Sequence, residues 1–320
     1  MELSSRIFEA ADLEAAVEAW KATTKPMAML WIGKCNDQPD FNQLTIAATG
    51  MPVFRNTLSC VKAVQAAIRY GKFSAANAKR AEPARPAGCN VEAARALVKK
   101  AAGTMTERAS KEVLAAYGFP VTRETLAKSA DEAVRIAADI GSAVAMKIES
   151  ADIPHKTEAR AVRLGLDSDA AVTAAFDEIL QNARAFNKNA RIEGVLVQEM
   201  VQGGVEFIVG VTYDRQLGPM LLVGTGGVMV EVYKDTSLRR CPITSEEARE
   251  MIAEVRGSKL LAGFRGAPAG DVDALAHVLV RVSHMAVQLD GQLAELDINP
   301  VLVRPKGRGV TAVDALLVLK

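Results

Sequence analysis

Apolar and polar residues recur with two different periods near the amino end of the chain. Apolar residues fall at helical spacing in 13–24, 40–49 and 59–70, whereas 26–33 and 52–55 are short apolar runs typical of buried strands. A helix between two such strands is the usual connection in a parallel sheet. Two strands alone do not make a stable sheet, so this region is predicted to be one part of a parallel-sheet domain.

The segment 81–90 differs in character from the residues on both sides of it. Pro83 and Pro86 stand among small residues without an apolar period, which is typical of a semi-rigid linker. We therefore predict a first domain at 1–80 and a second at 91–320. In the second domain, helices are predicted at 91–102, 107–117, 130–140, 170–186, 245–254 and 272–289, and strands at 143–148, 194–200, 205–213, 219–223 and 228–233.

Residues 292–314 carry a dense group of polar side chains in a strand-like pattern. If the segment is a strand, alternation puts Glu295, Asp297 and Asn299 on one face and apolar residues on the other. A turn centred between residues 306 and 307 then places Asn299 opposite Asp314. Such carboxylate and amide oxygens suit Mg²⁺, but a solvated strand face shows the same alternation, so both interpretations stay open.

Composition and charge exclude several classes of protein. The 320 residues are 49% hydrophobic and 24% charged, which is typical of a folded globular chain. With 39 basic and 38 acidic residues the net charge is +1, so no overall field attracts nucleic acid or an anionic membrane. The four cysteines form no CxxC pair, which favours reduced thiols. No apolar run has the length of a membrane span, and residues 1–6 lack a signal-peptide pattern, so the cytoplasm is the expected location.

Two features suggest a local site for phosphate. Lys147 lies inside the apolar run 144–148, where an ammonium group needs an anionic partner unless its long side chain reaches water. The segment Gly224-Thr225-Gly226-Gly227 offers backbone amides without side-chain obstruction, although a tight strand connection has the same composition. Neither a GxxxxGK[ST] loop nor a GxGxxG motif occurs, so a bound nucleotide would be held in another way.

Two further segments are weaker candidates when taken alone. The predicted strand 195–200 with nearby Glu206 places carboxylates where they can meet the ribose and adenine of a nucleotide, although carboxylates near a turn are common. His155 follows Pro154 in a predicted loop, and a loop histidine can carry a phosphoryl group or simply be exposed. His277 and His284 fall on the polar side of the last helix, where a solvated face is the favoured interpretation.

Taken in order, these residues resemble the ATP-grasp portion of the NDP-forming acyl-CoA synthetases, relatives of succinyl-CoA synthetase. The matching words are Lys147-Ile148, Asp152-Ile153-Pro154-His155-Lys156-Thr157-Glu158, Val197-Gln198-Glu199-Met200, Gly204-Val205-Glu206, Leu217-Gly218-Pro219, Gly224-Thr225-Gly226-Gly227 with Glu231 and Asp235, Phe264-Arg265-Gly266, Glu295-Leu296-Asp297-Ile298-Asn299-Pro300 and Val313-Asp314. The segment 25–73 is similar to the end of the flavodoxin-like ligase domain of the fused enzymes. The fold implied is α/β and α+β: an ATP-grasp domain of two α+β lobes, preceded by a partial flavodoxin-like parallel-sheet domain.

The resemblance also implies a reaction and a set of roles. An organic acid, CoA and ATP would give acyl-CoA, ADP and phosphate through a phosphohistidine, with Mg²⁺ and ATP or ADP as ligands. The resemblance assigns the phosphates to Lys147, the adenine edge to Glu199 and Met200, and the ribose to Glu206, and Gly226 and Gly227 are also predicted to bind the nucleotide. It assigns Mg²⁺ to Asn299 and Asp314, with Asp297 close by. His155 would be a phosphoryl relay or a phosphate-contacting loop residue.

Two departures from the family pattern qualify these expectations. A Gly-Gly pair usually follows the histidine, whereas this chain has Ala159-Arg160-Ala161. The CoA-binding domain and the domain with the main phosphohistidine have no counterpart here, so CoA would be bound through a partner chain or a missing domain, in a homo- or hetero-oligomer. The alternatives are a stand-alone ATP-grasp carboxylate ligase and a non-catalytic nucleotide-binding or assembly subunit.

Overall fold

The computed structural model of the chain describes residues 10–30, 47–78, 80, 83–227, 235–263 and 266–320, and it divides into two compact units, 1–81 and 82–320. The first unit contains helix α1 (Ala10–Ala22), strands β1 (Met29–Leu30) and β2 (Val53–Phe54), and helix α2 (Thr57–Ala78). The two strands pair in parallel, as expected, with Met29 opposite Val53. Val17 and Met51 are the buried centre of this unit. Within the described residues, no helix combines the length and apolar composition that crossing a membrane requires.

The helices of the second unit begin where short polar side chains cap them. The side-chain oxygens of these caps accept hydrogen bonds from backbone N–H groups of the first turn, which have no partner inside the helix. The helices are α3 (Val91–Lys99), α4 (Glu107–Ala116), α5 (Ala130–Ile140), α6 (Asp169–Phe186), α7 (Ser245–Glu254) and α8 (Val272–Gln288), with a 3₁₀ turn at Arg256–Ala262. Their caps are Asn90, Thr106, Ser129, Ser168, Thr244 and Asp271, in that order.

The first sheet of this unit has four antiparallel strands in the order β3-β6-β4-β5. They are β3 (Glu124–Ala127), β4 (Val144–Glu149), β5 (Val162–Leu166) and β6 (Gly194–Glu199). Val144, Met146 and Ile148 of β4 pack with α6 residues in one apolar cluster. Because side chains alternate along a strand, Lys147 of β4 lies on the opposite face.

Among the residues described, the second sheet has six strands, with β11-β10-β7-β8-β9 in order and β12 also paired to β10. The strands are β7 (Val205–Asp214), β8 (Gly218–Thr225), β9 (Thr236–Arg240), β10 (Leu293–Val303), β11 (Val310–Ala312) and β12 (Leu316–Leu319). Every pairing is antiparallel. Leu275, Leu279 and Val282 of α8 belong to the large apolar cluster that also contains residues of α3, α4, α7 and this sheet.

The hairpin of β10 and β11 has the predicted register. Val303 pairs with Val310, and Val301 with Ala312, so the turn is centred between residues 306 and 307. Leu296 and Ile298 are buried, as the alternation predicts. Asp271, the cap of α8, accepts hydrogen bonds from the N–H groups of Gly307 (2.8 Å) and Gly309 (3.0 Å), which fixes the turn to the start of that helix.

Other predictions have mixed outcomes. The strands β3, β5, β9 and β12 were not predicted, and His284, expected on a solvated face, is only 7% exposed. It lies among the many buried residues of α8, which is covered on more than one side. Several predicted features lie outside the described residues: most of the helix 40–49, the end of the strand 26–33, the strand 228–233 with Glu231, and residues 264–265.

Candidate functional site

A buried carboxylate on α4 is surrounded by three lysines. The Glu107 side chain is fully buried, and its Oε1 lies 2.7 Å from Lys111 Nζ and 2.8 Å from Lys147 Nζ. Its other oxygen, Oε2, lies 2.8 Å from Lys156 Nζ. These four residues come from α4, from β4 and from the loop that follows β4. We call them the Glu107 cluster.

The opposite charges in the Glu107 cluster stabilise one another although the groups are buried. Burial alone would raise the pKa of Glu107, but the ammonium groups of Lys147, Lys111 and Lys156 outweigh this effect and hold the pKa well below its usual range. Burial would likewise lower the pKa of Lys156, but Glu107 and Asp314 raise it above its usual value. Glu107 and Lys156 are therefore both charged near neutral pH.

Lys147 and Lys156 also lie beside Asp314, which follows β11 in the other sheet. Lys147 Nζ is 3.5 Å from Asp314 Oδ2, and Lys156 Nζ is 3.4 Å from Oδ1. The carbonyl oxygen of Val313 accepts hydrogen bonds from Lys147 Nζ (3.2 Å) and from Gln198 Nε2 (2.8 Å). Two ammonium groups and one carboxylate thus meet where the four-stranded and six-stranded sheets approach each other.

The predicted metal ligands lie next to this point. Asn299 donates its backbone N–H to the Asp314 carbonyl at 3.2 Å, so the two residues are neighbours across the hairpin. Partial burial and the carboxylates of Asp314 and Glu295 raise the pKa of Asp297. A bound cation would relieve that repulsion, and these oxygen side chains are of the type that Mg²⁺ accepts beside phosphate and water. In the described part of the chain, no group of three or more His, Cys, Asp or Glu side chains is arranged to hold a metal.

The glycine segment after β8 closes tightly on Glu206. Gly226 donates its N–H to the Glu206 carbonyl at 2.8 Å, and a Cβ at residue 226 would lie 2.9 Å from the Glu206 carbonyl carbon. Gly227 has φ +71°, a conformation that favours glycine. The loop therefore depends on both glycines, and the Glu206 side chain beside it is exposed.

The predicted adenine-edge residues lie at the end of β6. Glu199 accepts hydrogen bonds from the backbone N–H and from Nε of Arg123, both at 2.9 Å. Met200 is half-buried, and its sulfur accepts the N–H of Gly165. Arg123 therefore fixes the direction of the Glu199 carboxylate.

His155 lies in a loop of successive turns, and its side chain is exposed. The backbone N–H of Ala159 bonds to the His155 carbonyl, and that of Ala161 bonds to the Lys156 carbonyl at 2.9 Å. Arg160 has φ +52° and is the one non-glycine residue with positive φ in the part of the chain described. This arginine thus adopts the left-handed conformation that glycine adopts without steric cost.

Several residues of the site were not found from the sequence as candidates. Glu107 and Lys111 have the spacing of an exposed helical ion pair, and Lys156 was named only as part of the matching segment around His155. Glu149 is fully buried as well, and burial raises its pKa to about 7 despite a hydrogen bond from Thr106. The position of Lys156 directly after His155 is the one local signal that could have identified it.

Comparison with known proteins identifies the class of protein to which this chain is similar. A family model described as "ATP-grasp domain" matches residues 96–319, the greater part of the chain. The β subunit of ADP-forming acetate–CoA ligase II from Pyrococcus furiosus is 43% identical over 216 residues, which cover 68% of this chain and 92% of that subunit. The 4-hydroxybutyrate–CoA ligase (ADP-forming) of Nitrosopumilus maritimus is 36% identical over 307 residues, 94% of this chain but 43% of that ligase.

A solved structure shows the same fold with ligands bound. The dinucleotide-forming acetyl-coenzyme A synthetase 1 of Candidatus Korarchaeum cryptofilum, in complex with coenzyme A and Mg-AMPPCP, matches with a TM-score of 0.62 and 36% identity over 71% of this chain and 100% of that chain. Its phosphohistidine segment is described as pointing towards the nucleotide binding site.

Residues 96–319 thus form an ATP-grasp domain, with two antiparallel sheets and the helices that cover them. The chain belongs to the family of ADP-forming acyl-CoA synthetases, whose ATP-grasp part it represents, and it is related to the succinate–CoA ligases. The resemblance stated from the sequence is confirmed. The alignments cover nearly all of the separate β subunits of P. furiosus but less than half of the 4-hydroxybutyrate–CoA ligase.

Proposed function

We propose that the chain binds a magnesium nucleotide between its two antiparallel sheets and transfers a phosphoryl group as one part of acyl-CoA synthesis. The observation that carries this proposal is the meeting of Lys147, Lys156 and Asp314 at the approach of the sheets. Two adjacent ammonium groups attract a polyphosphate, and a carboxylate beside them can ligate the cation that accompanies it.

Each predicted site residue has a role in this proposal. Lys147 and Lys156 neutralise phosphate oxygens, while Asp314 and Asn299 hold Mg²⁺, with Asp297 nearby. When bound, Mg²⁺ would neutralise the charge that develops on the phosphates. The remaining contacts are assigned by position: the phosphates to the backbone of Gly226 and Gly227, the ribose to Glu206, and the adenine edge to Glu199 and Met200.

His155 is the proposed phosphoryl acceptor. One ring nitrogen forms a bond to the γ-phosphorus of ATP, and the bond from that phosphorus to the bridging oxygen breaks, so that ADP leaves with the electron pair. Its exposed position in the loop next to Lys156 supports this role, since an acceptor must reach both the nucleotide and the next reactant.

The complete reaction requires more protein than this chain. The P. furiosus relative is named a β subunit, and we propose that this chain likewise acts with a CoA-binding subunit or domain, where the organic acid also reacts. For the domains, we propose a partial flavodoxin-like domain at 1–80, a linker at 81–90 and the ATP-grasp domain at 91–320. The parallel pairing of β1 and β2 supports the first assignment.

Isothermal titration tests the nucleotide site. The wild-type chain is expected to bind MgATP and MgADP, and Asp314→Ala should weaken both by about tenfold or more, equivalent to about 1.4 kcal/mol. Asp290→Ala removes an exposed carboxylate that pairs with Lys320 and serves as the matched control. Equal affinities in wild type and Asp314→Ala would refute the metal role, and failure of the wild type to bind would refute the proposal.

Incubation with γ-labelled ATP tests the transfer step and separates an enzyme from a passive nucleotide-binding subunit. An acid-labile, base-stable label is expected on the wild type, and it should disappear in His155→Asn. His277→Asn, which removes a histidine bonded to Arg281 on α8, should retain the label. A label that survives His155→Asn would exclude this histidine as the acceptor.

A further inference from the structure

We infer that Glu107 is a positioning residue that holds the ammonium groups of Lys147 and Lys156 side by side for the phosphates of a nucleotide. The inference rests on the proposed function, because it concerns the same site. Helix α4 supplies none of the expected nucleotide ligands. By this inference it positions the lysines that do bind the phosphates.

The geometry of one carboxylate explains the arrangement. Lys147 Nζ lies 2.8 Å from Glu107 Oε1, and Lys156 Nζ lies 2.8 Å from Oε2. Because the two oxygens belong to one rigid group, they hold the two ammonium groups at neighbouring positions. Lysine side chains are long and flexible, and two like charges repel each other. Within the described residues, Asp314 is the one other carboxylate with an ion pair to both ammonium groups.

Contacts to Asp314 are of a different kind. They measure 3.4 and 3.5 Å, and the Asp314 side chain is 32% exposed, whereas Glu107 is fully buried. An arriving phosphate can therefore replace Asp314 beside each lysine, while the shorter ion pairs to Glu107 remain. The same exchange leaves the Asp314 carboxylate free to face a cation.

Glu107 is itself fixed in place. It is the first residue of α4, where the helix dipole favours a negative charge. Lys111, one turn later, donates to Glu107 Oε1 at 2.7 Å and to Glu124 Oε2 at 2.6 Å. Glu124 thus shares Lys111 with Glu107 but has no described ion pair with Lys147 or Lys156, which makes it a matched control.

Binding measurements on the full chain separate positioning from a general structural role. MgADP affinity is measured by isothermal titration and adenosine affinity by ligand-observed NMR. Glu107→Gln should weaken MgADP about tenfold or more and change adenosine less than about twofold, since adenosine carries no phosphate. Glu107→Asp should recover part of the MgADP affinity. Glu124→Gln should leave both affinities unchanged, with circular dichroism confirming that each variant is folded.

Each outcome decides the inference. Equal losses for MgADP and adenosine, an equal loss in Glu124→Gln, or no loss in Glu107→Gln would overturn it. A wild type that binds no MgADP overturns the proposed function and this inference together, whereas normal binding in both wild type and Glu107→Gln overturns the inference alone.

Asp314→Asn decides the case in which Glu107→Gln does not fold. If the lysines exchange Asp314 for phosphate, this variant should bind metal-free ADP about threefold or more tightly than the wild type, because a competing anion has been removed. Unchanged or weaker binding of metal-free ADP would overturn the exchange and, with it, the role of Glu107.

Discussion

Replacing Lys111 by Met should destabilise the second unit in a way that depends on pH. Lys111 is 2% exposed and contacts both Glu107 and Glu124. After the substitution Glu107 keeps Lys147 and Lys156, but Glu124 loses its one ion pair within the described residues. The loss of stability therefore comes from one buried carboxylate, that of Glu124. Burial already raises the pKa of this group in the wild type.

Protonation of Glu124 limits the size of that penalty. Its ordinary pKa is 4.5, so folding with Glu124 neutral costs about 1.36 kcal/mol for each pH unit above that value. The limit is about 3.4 kcal/mol at pH 7 and about 0.7 kcal/mol at pH 5. Because the pKa of Glu124 is higher in the folded state than in the unfolded state, the variant is most stable at low pH. Its unfolding free energy falls as pH rises.

Urea denaturation at pH 5 and pH 7 measures this difference. Both tryptophans, Trp20 and Trp31, precede the second unit in the sequence, so far-ultraviolet circular dichroism rather than tryptophan fluorescence should follow the second unit. The double variant Lys111→Met/Glu124→Leu, which removes the stranded carboxylate, should regain most of the lost stability. A loss in the single variant that is the same at both pH values would show that the electrostatic argument is wrong.

Two further predictions concern the loops of the site. Gly226→Ala places a Cβ within 3 Å of the Glu206 backbone, so the loop must move. We expect a loss of about 1–3 kcal/mol in unfolding free energy and weaker MgADP binding. Wild-type values for both quantities would contradict the close contact. Arg160→Gly relieves the left-handed conformation, at the cost of a more flexible unfolded chain. We expect a gain of about 0.5–1 kcal/mol in urea denaturation, and a destabilised variant would show that the arginine side chain makes a stabilising contact.

Features governed by local rules could be predicted from the sequence. A turn centred between residues 306 and 307 was predicted to place Asn299 opposite Asp314, and the register of the β10–β11 hairpin agrees. Helices α5 and α7 were predicted residue for residue, because polar caps and a 3.6-residue period mark them. Both features could be predicted without knowledge of contacts to distant parts of the chain.

The arrangement around Glu107 could not be predicted in the same way. Glu107 meets Lys147, which is 40 residues away, and α4 also reaches β12 through the bond from the Leu317 N–H to Ser110. In the sequence, Glu107 and Lys111 look like a solvent-exposed helical pair, and only the tertiary structure buries them. Strands β3 and β9 were missed because they are short and half polar, so their apolar pattern is too brief to identify.

Helix α4 has a consequence for dividing the protein into complementing fragments. A cut between residues 200 and 205 separates the two sheets in the sequence, and it looks like a natural position for a split reporter. The amino-terminal fragment would keep Glu107 with its lysines but lose Asp314 and the strand β12 beside α4. Each piece would then expose charged or apolar surface that the other normally covers, so we expect the pieces to fold only upon reassembly.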